Sequence, residues 1–226
     1  METSQKIDAL SRVPVFAVLS ETELAQLAQS TIYRRENRFR FVFVPDENND
    51  YVYLLLKGRI KIGTFSQEGK EVIKEILQPE QLFGDLALAG ESTHTEFAQT
   101  LHDDVTYLQI RMSDIQQLLQ HNQRFVYACI THLSNRLQRV EDRLAKLVLK
   151  DARERIIEFI VETAGKEGRR VGFETLVKHY LTQQDIANIT GTSRQTVTSV
   201  LNDLRKANLI HFNRSSILIR DMEKLA

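Results

Sequence analysis

The sequence predicts an α+β chain in three parts: a β-rich N-terminal domain, a long helix, and a C-terminal pair of tightly joined helices followed by a hairpin. Three observations predict it. Short runs rich in β-branched and aromatic residues crowd the first half. Apolar residues at heptad spacing come next. The stretch 182–204, TQQDIANITGTSRQTVTSVLNDL, then sets two apolar helical patterns around one glycine.

The elements follow in chain order. Residues 6–32 read as helical, and SETELAQLAQ carries a capping signal. Ser20 can cap, Glu23 sits three residues on, and Leu24 and Leu27 share a face. From about Phe39 the period becomes that of strands. FRFVFV, DYVYLLLKG, RIKIGTF, KEVIKEIL and VTYLQI are separated by turn material at Pro45-Asp46, Gly58, Ser66 to Gly69, Pro79 and Gly84 to Gly90. Many short strands with hairpin turns predict a sandwich or barrel of jelly-roll type.

From about Ser113 the pattern is helical. Val126, Ile130, Leu133, Leu137, Val140, Leu144 and Leu147 are spaced 4, 3, 4, 3, 4, 3, a seam over three heptads. That predicts a helix of roughly 30 residues, ~45 Å long. Its seam suits a parallel two-stranded homodimer; the alternative is a helix packed on its own domain. Cys129 adjoins the seam and reads as a small apolar filler rather than a redox sensor. KDARERIIEFIVETAGKEG is a further amphipathic helix, and VKHYL leads into the final motif.

Residues 183–189 make a short helix with Ile186, Ala187 and Ile189 inward. Gly191 supplies the positive φ that a sharp turn needs, and Ser193 can cap the second helix. Val197, Val200, Leu201 and Leu204 face that helix's core, while Arg194, Gln195, Thr198, Ser199, Asn202 and Arg205 face out. This is a helix-turn-helix. Arginine can pair two donors with guanine O6 and N7, and glutamine can pair with adenine N6 and N7. A second helix opening on Arg194 and Gln195 therefore suits a DNA major groove. LRKANLIHFNRSSILIRD then reads as helix end, strand, turn, strand: a wing with Arg214, Ser215 and Ser216 at its tip, suited to phosphates.

Bulk properties narrow the classes. With 30 basic and 30 acidic residues the chain has no net charge, but residues 1–149 carry −3 and 150–226 carry +3. The surplus falls where an anion would be met. One cysteine excludes an intrachain disulfide, a thiolate zinc site and an iron–sulfur cluster, and fits a reducing compartment. METSQKIDAL has no signal-peptide pattern, and no apolar run approaches the ~20 residues of a membrane span. A cytoplasmic protein with no membrane partner is expected. No nucleophile–base motif, Gly-rich phosphate loop or metal-ligand spacing points to an enzyme.

On these residues the chain resembles the catabolite activator (CRP/FNR) family of bacterial transcription regulators. LLLKGRIKIG, GKEVIKEIL, LFGDLAL and LTQQDIANITGTSRQTV fall in family order and spacing. The resemblance implies a cyclic-nucleotide-binding-type β-roll (a double-stranded β-helix or jelly roll) over 1–112, a dimerisation helix over 113–149, and a winged-helix DNA-binding domain over 150–226. It implies a homodimer on a two-fold operator of double-stranded DNA, with RNA polymerase as a further partner. The DNA-binding set expected on this footing is Thr182, Gln183, Ser193, Arg194, Gln195, Thr196, Thr198, Ser199 and Arg214.

The departures carry information. In cAMP-binding relatives a Gly-Glu-Leu holds the ribose and an Arg-Ser pair holds the cyclic phosphate. Here the effector-pocket positions read Gly84, Asp85, Leu86, then Thr95 and Glu96. A phosphate would lose its cation and meet a carboxylate, a loss of several kcal/mol, or on the order of a thousandfold in affinity. cAMP is therefore not the expected effector, and no cofactor is assigned. His94 lies in the same loop and reads as solvated rather than as a haem or metal ligand. Gln195 stands where the best-known relatives carry glutamate, and Ser199 where they carry arginine, so a different operator is expected. The alternative reading is a ligand sensor whose winged helix serves protein contacts.

Overall fold

The computed structural model describes residues 1–85, 88, 90, 92–101, 104–178, 181–213 and 216–225. Packing divides the chain into two units, residues 1–139 and 140–226.

The first unit opens with α1 (Thr3–Ser11) and α2 (Glu21–Ser30). The predicted cap is present: Ser20 Oγ accepts from Glu23 N, and Ser20 N donates to the Glu23 carboxylate at 2.8 Å. The helical run expected over 6–32 is broken. Residues 12–19 make turns, Pro14 among them, and Ile32 already starts a strand. Proline removes a helical N–H and crowds the preceding turn.

Among the described residues eight strands follow: β1 (Ile32–Glu36), β2 (Phe41–Phe43), β3 (Tyr51–Lys57), β4 (Ile60–Phe65), β5 (Glu71–Leu77), β6 (Leu82–Phe83), β7 (Phe97–Thr100) and β8 (Val105–Arg111). They form two antiparallel four-stranded sheets, β1-β8-β3-β6 and β2-β7-β4-β5. Two sheets with crossed-over neighbours are the predicted roll. Side-chain alternation sorts β3 and β8 between two cores. Val52, Leu54, Leu108 and Ile110 pack with Leu24, Leu27 and Phe125 on the helical side. Tyr53, Leu55, Val105 and Tyr107 pack with Phe43, Ile60, Ile62 and Phe83 in the second core.

The long helical stretch is two helices, α3 (Met112–His121) and α4 (Gln123–Leu149), the latter 27 residues long. Asn122 makes the break. Its Oδ1 accepts from Phe125 N at 3.0 Å, while its Nδ2 donates to Glu23 at 2.8 Å. Cys129 is 5% exposed in the core with Phe16 and Phe125, so it is apolar filling. Burial pushes its thiol up to about 11, which leaves it protonated at neutral pH.

The second unit holds α5 (Ala152–Glu167), β9 (Arg169–Val171), β10 (Glu174–Lys178), α6 (Gln183–Thr190), α7 (Arg194–Lys206), β11 (Ile210–Phe212), β12 (Ser216–Ile219) and α8 (Met222–Leu225). Asp151 caps α5. The expected wing strands are present, but they belong to a four-stranded sheet, β11-β12-β10-β9. The β9–β10 hairpin was not expected from the sequence. Gly172, at φ 63, turns it.

Candidate functional site

The helix-turn-helix forms as predicted. Thr182 caps α6, accepting from Asp185 N at 3.1 Å and donating its hydroxyl to the Asp185 carboxylate at 2.7 Å. Gly191 takes φ 63 and ends α6. Ser193 Oγ accepts from Thr196 N at 3.1 Å and caps α7. Val197, Val200, Leu201 and Leu204 are buried, which fixes the rotation of α7 about its axis. Arg194, Gln195 and Ser199 are left exposed on the opposite side.

Not every candidate shares that freedom. Thr198 is half-buried, with its Oγ1 2.7 Å from Gln183 Oε1 and 2.9 Å from Arg194 O. Thr198 and Gln183 thus tie α6 to α7. The hydroxyls of Thr182, Ser193 and Thr196 are engaged in the two caps. Arg214 and Ser215 lie outside the described residues, and so does Leu86.

The other candidate region is a cavity of about 450 Å³ in the first unit. Val13, Pro14, Val18, Leu77 and Leu82 give it apolar walls, and Asp85, Glu96, His132 and Arg136 a polar end. Asp85 and Glu96 are 1% and 3% exposed by side chain. Sequence reasoning placed both but not their partners. Arg136 of α4 donates to Asp85, and its other Nη lies 3.5 Å from Glu96. His132 Nε2 lies 2.7 Å from Asp85, and Lys74 Nζ 3.2 Å from Glu96. Burial pushes the Asp85 carboxyl up, but the His132 hydrogen bond and the Arg136 charge outweigh it and hold it below the ordinary aspartate range. His132 and Arg136 are four residues apart on one face of α4, a spacing that could have flagged them. Thr95 departs from expectation: it is exposed and does not line the cavity. Gly84 takes φ 67 beneath the Tyr53 ring, where a Cβ would fall 2.8 Å from a ring carbon.

His94 is not solvated. It is 3% exposed, and its ring stacks on Phe43 with centroids 3.6 Å apart. The loop backbone pins it: His94 N donates to Glu47 O, and Asp46 N donates to His94 O, both at 2.8 Å. Burial lowers its pKa, with Glu47 and Asp50 opposing. The folded value lies below the unfolded one. Its contribution to stability is therefore complete above about pH 6.5 and is lost as pH falls toward the lowered folded value. Thermal unfolding at pH 7.5 and 5.5 checks this: His94→Phe is expected to lose less stability between the two than the parent chain.

The heptad positions divide. Val126 and Leu133 are half-buried, while Ile130, Leu137, Val140, Leu144 and Leu147 are 42–61% exposed. Among the described residues no group of three or more His, Cys, Asp or Glu side chains is placed to hold a metal. No described helix is long and apolar enough to cross a membrane.

Known proteins match this architecture in order. The cyclic nucleotide-binding domain family matches residues 37–122, and the Crp-like helix-turn-helix domain family matches 154–226. The chain is 27% identical over 219 residues to the CRP-like cAMP-activated global transcriptional regulator of Mycobacterium tuberculosis, covering 97% of each. It is 25% identical to the global nitrogen regulator of a Synechocystis strain, covering 82% of this chain and 83% of the relative. The structure of a CooA mutant from Carboxydothermus hydrogenoformans superposes with a TM-score of 0.72 at 27% identity, over 92% of this chain and 89% of that one. These relatives are named as regulators, not enzymes, where their names state a role. A cyclic-nucleotide-binding-type roll, a long helix and a Crp-like helix-turn-helix, in that order and over nearly the whole chain, place this protein in the CRP/FNR family as a DNA-binding transcriptional regulator.

Proposed function

We propose that the chain works as a homodimer that binds a two-fold operator without cAMP. In this reading residues 1–112 are the sensor domain, 113–149 the dimer element and 150–226 the DNA-binding domain. The observation that carries the DNA contact is the rotation of α7. Four buried apolar residues turn Arg194, Gln195 and Ser199 outward at its N-terminal end. That end reads bases in helix-turn-helix proteins. Arg214 joins them as a phosphate contact.

The dimer rests on the exposed stripe from Ile130 to Leu147. Five large apolar side chains at heptad positions on one helix suit a copy of the same helix. RNA polymerase is the further partner, in the cytoplasm, as the family resemblance implies.

Independence from cAMP rests on the polar end of the cavity. The guanidinium of Arg136 is already shared between Asp85 and Glu96. A cyclic phosphate would have to break those pairs and would then face two buried carboxylates. Calorimetry with cAMP is expected to show no binding, and operator affinity is expected to be the same with and without it. A micromolar dissociation constant, or operator binding that appears only with cAMP, would overturn this part of the proposal.

A further inference from the structure

The turn joining α6 to α7 is held from outside by two arginines. Arg143 of α4 donates from Nη2 to Ile189 O at 2.8 Å. Arg155 of α5 donates from Nε to Thr190 O at 2.8 Å and from Nη2 to Gly191 O at 3.2 Å. Its Nη1 donates to Lys150 O at 2.6 Å, where the chain passes from α4 to α5. A helix leaves its last carbonyls without partners and gathers negative partial charge there. Here three successive carbonyls at the end of α6 each meet a guanidinium.

Other contacts end on the same stretch of chain, at residues 146–150. A Cβ on Gly191 would fall 2.8 Å from Leu147 Cδ2, so Leu147 reaches the turn at its glycine. Lys146 and Lys150 pair with Glu158 of α5 at 3.3 Å and 2.9 Å. None of these groups belongs to the exposed face of α7. All of them end on turn backbone or on α5. What they fix is where α7 begins relative to residues 143–150, the end of α4 and the residue just past it.

The last turns of α4 carry Val140, Leu144 and Leu147 of the exposed stripe. We infer that Arg143 and Arg155 are positioning residues for operator recognition: they latch the helix-turn-helix to the end of α4 and so set the half-site spacing the dimer accepts. The inference rests on the dimer reading proposed above. The two recognition helices are then separated by a fixed run of structure: turn, latch, seam, latch, turn. Each inserted base pair displaces a half-site by about 3.4 Å and rotates it by about a tenth of a turn. A rigid latch penalises that displacement, and a loose one absorbs it.

The test uses the full chain and a panel of operators whose spacers differ by one or two base pairs. The parent protein is expected to favour one spacing clearly. Arg143→Ala is expected to flatten that preference about tenfold, the worth of one charge-assisted hydrogen bond, while base preference within each half-site stays unchanged. Arg143→Lys keeps one donor for Ile189 O and is expected to restore part of the preference. It also serves if the alanine variant fails to fold, since its spacing preference should still fall between parent and a flat response. Equal loss of affinity at every spacing, with the preference kept in either variant, would overturn the inference and leave the arginines as ordinary stabilising groups. A parent protein that sediments as a monomer would overturn the dimer reading itself, and sedimentation separates that failure from the first.

Discussion

Arg194→Ala is expected to weaken operator binding by ~1–3 kcal/mol per half-site and to relax preference at one base pair in each. The reason is geometric. Arg194 is the first residue of α7, exposed, and one residue after the Ser193 cap. A two-fold operator holds two such contacts, so the loss in a dimer is about 2–6 kcal/mol if the half-sites act independently. The measurement is fluorescence anisotropy on operators substituted one pair at a time. Equal loss on all sequences, with a shallower salt dependence, would mean that Arg194 touches phosphate instead. The neighbouring Gln195 predicts an adenine beside that position.

The second large effect is on stability. Arg136→Ala is expected to destabilise the first unit by about 3–5 kcal/mol, because it leaves Asp85 and Glu96 buried without their shared cation. The lower end of that range applies, since His132 still reaches Asp85 and Lys74 still reaches Glu96. Urea unfolding measures it. Asp85→Asn together with Glu96→Gln in the alanine background is expected to recover part of the loss, as neutral amides cost less to bury. The pH dependence has a definite sign. Asp85 is held below its ordinary value in the parent chain. The stability it contributes is therefore present above about pH 4 and is lost as pH falls through the lowered folded value. The gap between parent and Arg136→Ala should narrow over the same range. A constant gap would place the cost of the substitution in lost packing rather than in charge.

The second unit was the more legible half of the sequence. Gly191, Ser193 and the four inward residues of α7 are local signals, and each is where the pattern put it. The roll was legible in outline only. β3, β4, β5 and β8 are long, apolar and flanked by turns. β1 reads IYRRE, and its Arg34 and Arg35 are exposed, bonding to Gln109 and Asp104. A charged strand at a sheet edge has no periodic apolar face to announce it. β6 spans two residues and β7 four, too short for a period. The α3–α4 break hid for another reason: Asn122 looks like one more polar helical residue until its side chain is seen capping Phe125 N.

The cavity shows the same division. Asp85 and Glu96 were found by counting along a motif. His132 and Arg136 were not, because their pairing joins residues 40–51 positions apart. Position in a motif also misled at His94 and Thr95. Both belong to one loop, yet the fold buries the first against Phe43 and turns the second to solvent. Fixed alternation cannot be assumed in a loop, so burial there is decided by tertiary contacts.

The most direct test of the whole account is operator selection from a random DNA pool with the purified chain and no added nucleotide. The account predicts an inverted repeat with half-sites about one DNA turn apart, carrying the guanine and adenine that Arg194 and Gln195 call for. No enrichment at low salt, or a lone half-site without a symmetric mate, would contradict it.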